Sequence, residues 1–104
     1  MPCEIIFSQD AAKALRGLRA YDRIGILDAI ETHLRHDPTR TSRTRIKALR
    51  GLRQPQYRLR IGEVRVFYDV GGGVVQVLAV VSKADAAAWL ARWGVRAEEE
   101  GESP

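Results

Sequence analysis

Cysteine is almost missing from this chain of 104 residues, which holds only Cys3. A single thiol excludes an internal disulfide and the cysteine-rich type of zinc site. Histidine is nearly as scarce: His33 and His36 lie three residues apart, and no third ligand follows at an obvious spacing. We therefore expect neither a metal ion nor a cofactor.

Long apolar runs are also lacking. No stretch approaches the roughly 20 apolar residues that a membrane-spanning helix needs, and no charged start followed by an apolar run marks a signal peptide. Apolar residues nevertheless make up 45% of the chain, which is enough for one small folded domain. The sequence predicts a cytoplasmic protein without a membrane partner.

Acidic residues are scarce in the middle of the chain, where basic ones are abundant. From Arg35 to Arg65 there are ten basic residues and two acidic ones, and the net charge of the whole chain is +4. Only three of the seventeen basic residues are lysine. Arginine binds phosphates and carboxylates in a bidentate way, so this composition favours a polyanion or an acidic protein as the partner. A GC-rich genome would produce the same preference for arginine, and the composition alone leaves both explanations open.

Two helices are predicted in the first third of the chain. Ser8 is a suitable N-cap for a helix over about residues 9–19, with Asp10 in the first turn, where the helix dipole favours an acid. A second helix is predicted from Tyr21-Asp22 until Asp37-Pro38, because the residue before a proline disfavours helical angles. Its spacing predicts an amphipathic face made of Ile24, Leu27, Ile30 or Glu31, and Leu34.

The rest of the chain predicts strands and one more helix. We expect a strand at residues 4–7, an edge strand at 46–51, a connection at 52–56, a hairpin at 57–70, a central strand at 74–81 and a helix at 82–93. Strands joined by tight turns pair antiparallel. We therefore predict an α+β fold: a small antiparallel β-sheet of about four strands, two N-terminal helices packed on it, and a short C-terminal helix. Residues 1–94 would form the domain, and the acidic residues 95–104 would form a disordered tail.

The predicted hairpin concentrates charge on one face. If Gly62-Glu63 is a two-residue turn, Arg60 pairs with Arg65, and Arg58 pairs with Phe67. Side chains alternate between faces along a strand, so these four share one face, and the apolar residues of both strands share the other. Like charges opposite each other destabilise a sheet. Three arginines around one aromatic ring therefore predict an anionic ligand.

The same segment resembles a known family. The pattern Tyr-Arg-x-Arg-x-Gly-x-x-Arg-x-x-Tyr at residues 57–68 follows Leu49-Arg50-Gly51 and precedes a valine-rich strand. With Phe7-Ser8 and Asp37-Pro38 in the same order, the chain resembles the RelE/ParE superfamily over about residues 3–92, and the RelE-like branch more closely. These proteins are toxins of type II toxin–antitoxin modules. The resemblance implies a small toxin, neutralised by an antitoxin that binds through an acidic or amphipathic segment.

RelE-like toxins enter the ribosomal A site and cut messenger RNA there, which inhibits translation. The resemblance therefore implies a metal-independent endoribonuclease with the ribosome and messenger RNA as partners. Its catalytic residues would be Arg58, Arg60, Arg65 and Lys83. The arginines would orient and neutralise the scissile phosphate, and the lysine would supply the cation of a missing family arginine. The chain departs from the family pattern at Ala84 and Leu90, where RelE-like enzymes carry an arginine and a tyrosine.

Further basic and aromatic residues are candidates for RNA contacts. They are Arg43, Arg45, Lys47, Arg50, Phe67 and Trp89. Each has a structural alternative, because basic residues are also expected on a solvated surface, and the two rings are also expected in packing between the sheet and the last helix. The basic hairpin face has its own alternative, as the docking surface of an acidic antitoxin.

Two other functions stay open at the level of the sequence. A ParE-like toxin shares the fold but inhibits DNA gyrase by binding it, without nuclease chemistry, and the replaced arginine and tyrosine fit that function. A catalytically decayed homologue would keep only its binding to the antitoxin or to the operator.

Overall fold

The computed structural model describes residues 2–97, which form an α+β fold as the sequence predicts. A strand and two helices come first, followed by five strands, a helix and a last strand. These elements are β1 (Glu4–Phe7), α1 (Gln9–Arg16), α2 (Ala20–Leu34), β2 (Ile46–Ala48), β3 (Leu52–Gln54), β4 (Tyr57–Ile61), β5 (Val64–Gly71), β6 (Val74–Ser82), α3 (Lys83–Trp93) and β7 (Val95–Arg96).

Five strands build the main sheet in the order β1-β6-β5-β4-β2, and β3 pairs with β7 in a small second sheet. The pairs β2–β4, β4–β5 and β5–β6 are antiparallel, but β1 is parallel to β6. The prediction of a four-stranded antiparallel sheet is therefore wrong at this edge. A parallel neighbour needs a long crossover connection. The two helices and the strands that follow them supply it, so β6 has a partner on both of its edges.

Ser8 fixes the start of α1, as predicted. Its Oγ accepts a hydrogen bond from Ala11 N (3.0 Å) and donates one to Leu78 O (2.8 Å). The register of β5 against β6 shifts at this point and leaves Leu78 unpaired. The cap therefore also satisfies the carbonyl of a β-bulge. Helix α1 ends earlier than predicted, because Gly17 takes the C-cap position.

Helix α2 buries only part of the predicted stripe. Ile30 and Leu34 are buried as predicted, whereas Ile24 is 64% exposed and Leu27 is 38% exposed. Ile26 is buried in their place, at the i, i+4, i+8 spacing with Ile30 and Leu34. Both the i+3 and the i+4 spacing are compatible with a buried helical face, and packing against the sheet buries Ile26 and leaves Ile24 and Leu27 at the surface.

Two short strands lie where the sequence predicted irregular structure. Strand β3 falls in the predicted connection at residues 52–56, and β7 falls at the start of the predicted tail. Their pairing is extended by a hydrogen bond from Ala97 N to Gly51 O (3.0 Å). The remainder of the predicted acidic tail, residues 98–104, lies outside the described residues. None of the helices within residues 2–97 has the length and apolar character needed to cross a membrane.

Tyr68 connects the sheet to the segment that follows α2. Its ring is fully buried and stacks on Tyr57, with centroids 5.5 Å apart, and its hydroxyl donates to Pro38 O at 2.6 Å. Burial is the main reason why the pKa of Tyr68 is raised, and Tyr57 adds to it. The neutral hydroxyl is therefore a permanent donor to the Pro38 carbonyl, as a buried carbonyl requires.

We predict that Tyr68→Phe lowers the free energy of unfolding by about 1–3 kcal/mol, because the buried Pro38 carbonyl loses its donor. Urea unfolding followed by circular dichroism measures the change. Tyr57→Phe is the matched control, since within residues 2–97 the Tyr57 hydroxyl makes no hydrogen bond. An equal loss in both variants would contradict the role assigned to the Tyr68 hydroxyl.

Candidate nucleic-acid interface

The hairpin formed by β4 and β5 has the predicted register. Arg60 pairs with Arg65 and Arg58 pairs with Phe67, around a turn in which Gly62 has a φ of +57°. Glycine adopts this angle without strain, which is why a glycine occupies the first position of the turn. The pairing places the three arginines on one face of the sheet, opposite the face whose apolar side chains enter the core.

Strand β2 extends this basic surface. Lys47 is directly opposite Arg58 in the sheet, so the two side chains share a face. We call the surface formed by Arg58, Arg60, Arg65 and Lys47 the arginine face. At its border, Arg60 N donates to Arg45 O (2.8 Å), and these two residues line a cleft of about 300 Å³ with Thr44 and Gly62. The fold therefore brings two of the predicted RNA-binding residues, Lys47 and Arg45, to the arginine trio.

Arg65 is much less accessible than the sequence suggests, with 8% of its surface exposed. Its Nη1 donates to Gly62 O (2.9 Å) and to Val64 O (3.1 Å). Arg65 therefore holds the hairpin turn as well as contributing charge. The three arginines that the sequence places on one face are therefore not equally exposed: Arg60 is exposed, Arg58 is half-buried and Arg65 is buried.

Arg58 experiences the repulsion within the cluster most directly. Burial is the largest cause that lowers its pKa, followed by the charges of Arg65 and Arg60. Its buried Nε has no hydrogen-bond partner among the described residues. Within residues 2–97, no carboxylate forms an ion pair with any of the three arginines. An anion at this face would offset the repulsion.

Lys83 lies beside the hairpin turn. Its backbone N–H donates to Glu63 O (2.7 Å), and the residue before it, Ser82, pairs with Val64. Ser82 caps α3 as predicted, because its Oγ accepts a hydrogen bond from Asp85 N (3.2 Å). The exposed Lys83 therefore starts α3 next to the turn that Arg65 holds.

Phe67 and Trp89 contact each other. Their rings stack with centroids 5.1 Å apart and an angle of 7° between the planes, and Phe67 is only 1% exposed. Phe67 therefore packs the sheet against α3 and offers no surface to a base, so its prediction as an RNA-binding residue is wrong. Trp89 is half-buried and uses one face of its ring for this packing.

The remaining sequence candidates do not complete a catalytic group. Arg43 and Arg50 are exposed, one in the loop before β2 and one in the turn after it, and their RNA contacts stay predictions. Ala84 is exposed and Leu90 is half-buried on α3, and neither side chain can transfer a proton. Within residues 2–97, no group of three or more His, Cys, Asp and Glu side chains is arranged to hold a metal ion.

An apolar groove on the opposite face of the sheet was missed by the sequence analysis. We call this cleft of about 600 Å³ the α2 groove, and its apolar lining comes from Leu18, Tyr21, Ile24, Ile26, Ile61 and Val64. Tyr21 is 88% exposed at its rim. The signal for it in the sequence is the apolar pair Ile24 and Leu27 on α2, which the spacing alone places in the core.

Comparison with known proteins identifies the family. Residues 5–87 match the family model for the ParE toxin of the type II toxin–antitoxin system parDE. The chain belongs to this toxin family. No curated protein matches the toxin in sequence.

Solved structures of toxin–antitoxin complexes share the fold of this ParE-family toxin. The RelBE2 complex of Mycobacterium tuberculosis has a TM-score of 0.64 and 22% identity, and the match covers 79% of this chain and 99% of that one. The archaeal RelE–RelB complex of Pyrococcus horikoshii has a TM-score of 0.65 and 23% identity, covering 80% and 97%. The RelB–RelE complex of Methanococcus jannaschii has a TM-score of 0.56 and 17% identity, covering 81% and 96%. The predicted membership of the RelE/ParE superfamily is confirmed.

Arg65 and Arg60 of this toxin should differ in their effect on stability. Arg65→Ala is expected to lower the free energy of unfolding by about 0.5–1.5 kcal/mol, because the hydrogen bonds to the carbonyls of Gly62 and Val64 are lost. Arg60→Ala, at an exposed side chain, should change it by no more than about 0.5 kcal/mol. Urea unfolding of both variants tests the difference, and similar losses would contradict the structural role of Arg65.

Proposed function

We propose that this toxin inhibits translation by cutting messenger RNA at the ribosome, with the arginine face holding the scissile phosphate. The observation that carries the proposal is a cluster of three guanidinium groups on one sheet face with no paired carboxylate within residues 2–97. A solvated basic face would gain nothing from this arrangement, since like charges opposite each other are destabilising. A bound phosphate would attract all three guanidinium groups and so offset their mutual repulsion.

The chemistry follows from the nucleophile that RNA carries itself. The 2′-hydroxyl loses its proton to water and attacks the adjacent phosphorus, and negative charge grows on the phosphate oxygens. The bond from phosphorus to the 5′-oxygen breaks, which leaves a 2′,3′-cyclic phosphate and a departing 5′-oxygen. Cations that are fixed before the reaction stabilise this charge without reorganising. Arg65 is fixed in this way by the turn carbonyls, and the exposed Arg60 is free to approach the strand.

The departing 5′-oxygen must gain a proton. In this toxin the positions of the family arginine and tyrosine hold Ala84 and Leu90, which carry none. We propose that Lys83 or a water molecule donates this proton, because Lys83 is exposed beside the hairpin turn. An ammonium is a point charge without the fork of arginine, so the lysine would replace the charge of the missing arginine but not its bidentate geometry.

We also propose that the toxin has a cognate antitoxin and that an amphipathic segment of it occupies the α2 groove. Ile24 and Tyr21 are 64% and 88% exposed, although isolated soluble proteins rarely expose a contiguous apolar patch of this kind without a partner. The apolar lining of the groove from α2, Ile61 and Val64 suits the apolar side of a helix.

A second candidate function is supported by the family match and by the residues at two positions. ParE-like toxins inhibit DNA gyrase by binding it, and that activity needs no proton donor at the positions of Ala84 and Leu90. The arginine face would then bind an acidic protein surface rather than RNA.

Arg60→Ala tests the nuclease. Expressed without its antitoxin, the variant should relieve growth arrest, and its rate of RNA cleavage should fall by about 10²–10³-fold, the usual effect of losing one group that stabilises the transition state. Mapping of message 5′ ends in cells, and with purified ribosomes, measures the cleavage.

Arg16→Ala is the matched control, because Arg16 is exposed on α1, outside the arginine face. It should arrest growth like the unchanged chain. If the unchanged chain arrests growth with intact messages and a DNA-damage response, the nuclease hypothesis is contradicted and gyrase inhibition is supported. Normal growth on strong expression of the unchanged chain would identify a decayed homologue.

Ile24→Asp tests the α2 groove. We expect the affinity for the cognate antitoxin to fall by at least about tenfold, because the new carboxylate would be buried without a partner. Titration of purified antitoxin by calorimetry measures the change. Ala88→Asp introduces the same group on an exposed position of α3 and should leave the affinity unchanged. Equal losses in the two aspartate variants would exclude the groove as the docking site.

A further inference from the structure

A third cleft lies beyond the edge of the main sheet, where α2 ends and the chain returns to β2. It has a volume of about 310 Å³, and its polar lining includes His33, His36, Arg40, Ser42 and Arg45. We call it the β2-edge cleft. It differs in character from the α2 groove, because hydroxyl, imidazole and guanidinium groups form most of its wall.

The charge of this cleft is positive. Within residues 2–97, the guanidinium groups of Arg40 and Arg45 have neither a hydrogen-bond nor an ion-pair partner, and Asp37 is the single carboxylate in the lining. The C-terminal end of α2 adds about half a negative charge. Two full cations outweigh the carboxylate and the helix end together.

The loop that carries these cations is held in place. Ser42 N donates to Ile46 O (2.9 Å), and the Ser42 hydroxyl accepts hydrogen bonds from Arg45 N (3.0 Å) and Ile46 N (3.3 Å). A further bond runs from Arg40 N to Asp37 O (3.2 Å). The cleft is therefore built by the local backbone and does not depend on a bound ligand for its shape.

Arg45 joins this cleft to the arginine face. It lines the β2-edge cleft together with His33, and it also lines the smaller cleft that contains Arg60. Burial lowers the pKa of His33, and the charge of Arg45 lowers it further. The backbone bond from Arg60 N to Arg45 O fixes the spacing of the two regions.

We infer that the β2-edge cleft binds a second phosphate of the nucleic-acid strand held by the arginine face, so that the strand passes over β2 by way of Arg45. This inference rests on the proposed function, and it extends the site from the scissile phosphate to a longer stretch of backbone. A phosphate suits the cleft because unpaired guanidiniums and hydroxyl donors are its usual partners in proteins. An acidic helix suits it less, since Ile46 is the one apolar side chain in the lining.

The test compares two uncleavable ligands, a 2′-O-methyl dinucleotide and a 2′-O-methyl single strand of about 12 nucleotides, a length within the site sizes of single-strand binding surfaces. Fluorescence anisotropy of the labelled ligands against the purified toxin gives the affinities. Arg40→Ala should weaken binding of the long strand several-fold and reduce the slope of log K against log salt by about 0.7, the value for one lost phosphate contact on a single strand. It should leave the dinucleotide unaffected.

Arg60→Ala and Arg16→Ala make the outcomes distinguishable. Arg60→Ala should weaken both ligands, and Arg16→Ala should weaken neither. If Arg60→Ala weakens the long strand while Arg40→Ala does not, the β2-edge cleft is not part of the path and the inference fails, although the proposed function stands. If neither variant weakens either ligand, the proposed function fails as well. Circular dichroism of each variant confirms that the fold is retained.

Discussion

The pairing of Arg60 with Arg65 across the hairpin is the constraint on which the site depends. Two like charges opposite each other on a sheet cost about 0.2–1 kcal/mol, and Arg58 adds a third charge to the same face. The opposite face offsets this cost. Leu59, Val66 and Tyr68 are fully buried there, and each fully buried side chain of this size contributes about 1.5–3 kcal/mol. The same alternation of side chains that forms the core therefore forces the arginines together and leaves their charge available to a ligand.

The three arginines would have different roles in the proposed phosphate site. Arg65 is buried and bound to the turn carbonyls, so its position is set by the fold. Arg60 is exposed where a strand could reach it, while Arg58 retains an unused buried donor. A fixed cation lowers the reorganisation needed as charge develops, and a free one lets the ligand enter. A face of three equally exposed arginines would supply the same charge with less preorganisation.

The sequence predicted the structure well where local rules decide it and poorly where tertiary packing does. The register of the hairpin follows from two turn residues and a period of two, so Arg60–Arg65 and Arg58–Phe67 were predicted correctly. The buried face of α2 was predicted only in part, because Ile30 and Leu34 are buried but contact with the sheet buries Ile26 rather than Ile24. The parallel pairing of β1 with β6 and the pairing of β3 with β7 join segments far apart in the chain, for which no local signal exists. The prediction that Phe67 contacts RNA was wrong for the same reason, since the ring that covers Phe67 belongs to Trp89, on α3.

The hairpin presents its two candidate binding surfaces on opposite sides. Ile61 and Val64 line the α2 groove, and their chain neighbours Arg60 and Arg65 lie on the arginine face. An antitoxin helix in the groove would therefore leave the arginines uncovered, because adjacent residues of a strand point away from each other. To neutralise the toxin, the antitoxin would then need a second segment that reaches round the hairpin turn. Alternatively, the bound antitoxin would be large enough to keep the toxin out of a confined target such as the ribosome. The turn is the shortest route between the two faces, and Gly62 and Glu63 are both exposed there. An antitoxin that follows this route would carry its apolar side chains into the groove and its acidic ones to Arg60, which accounts for both an amphipathic and an acidic requirement in a single partner.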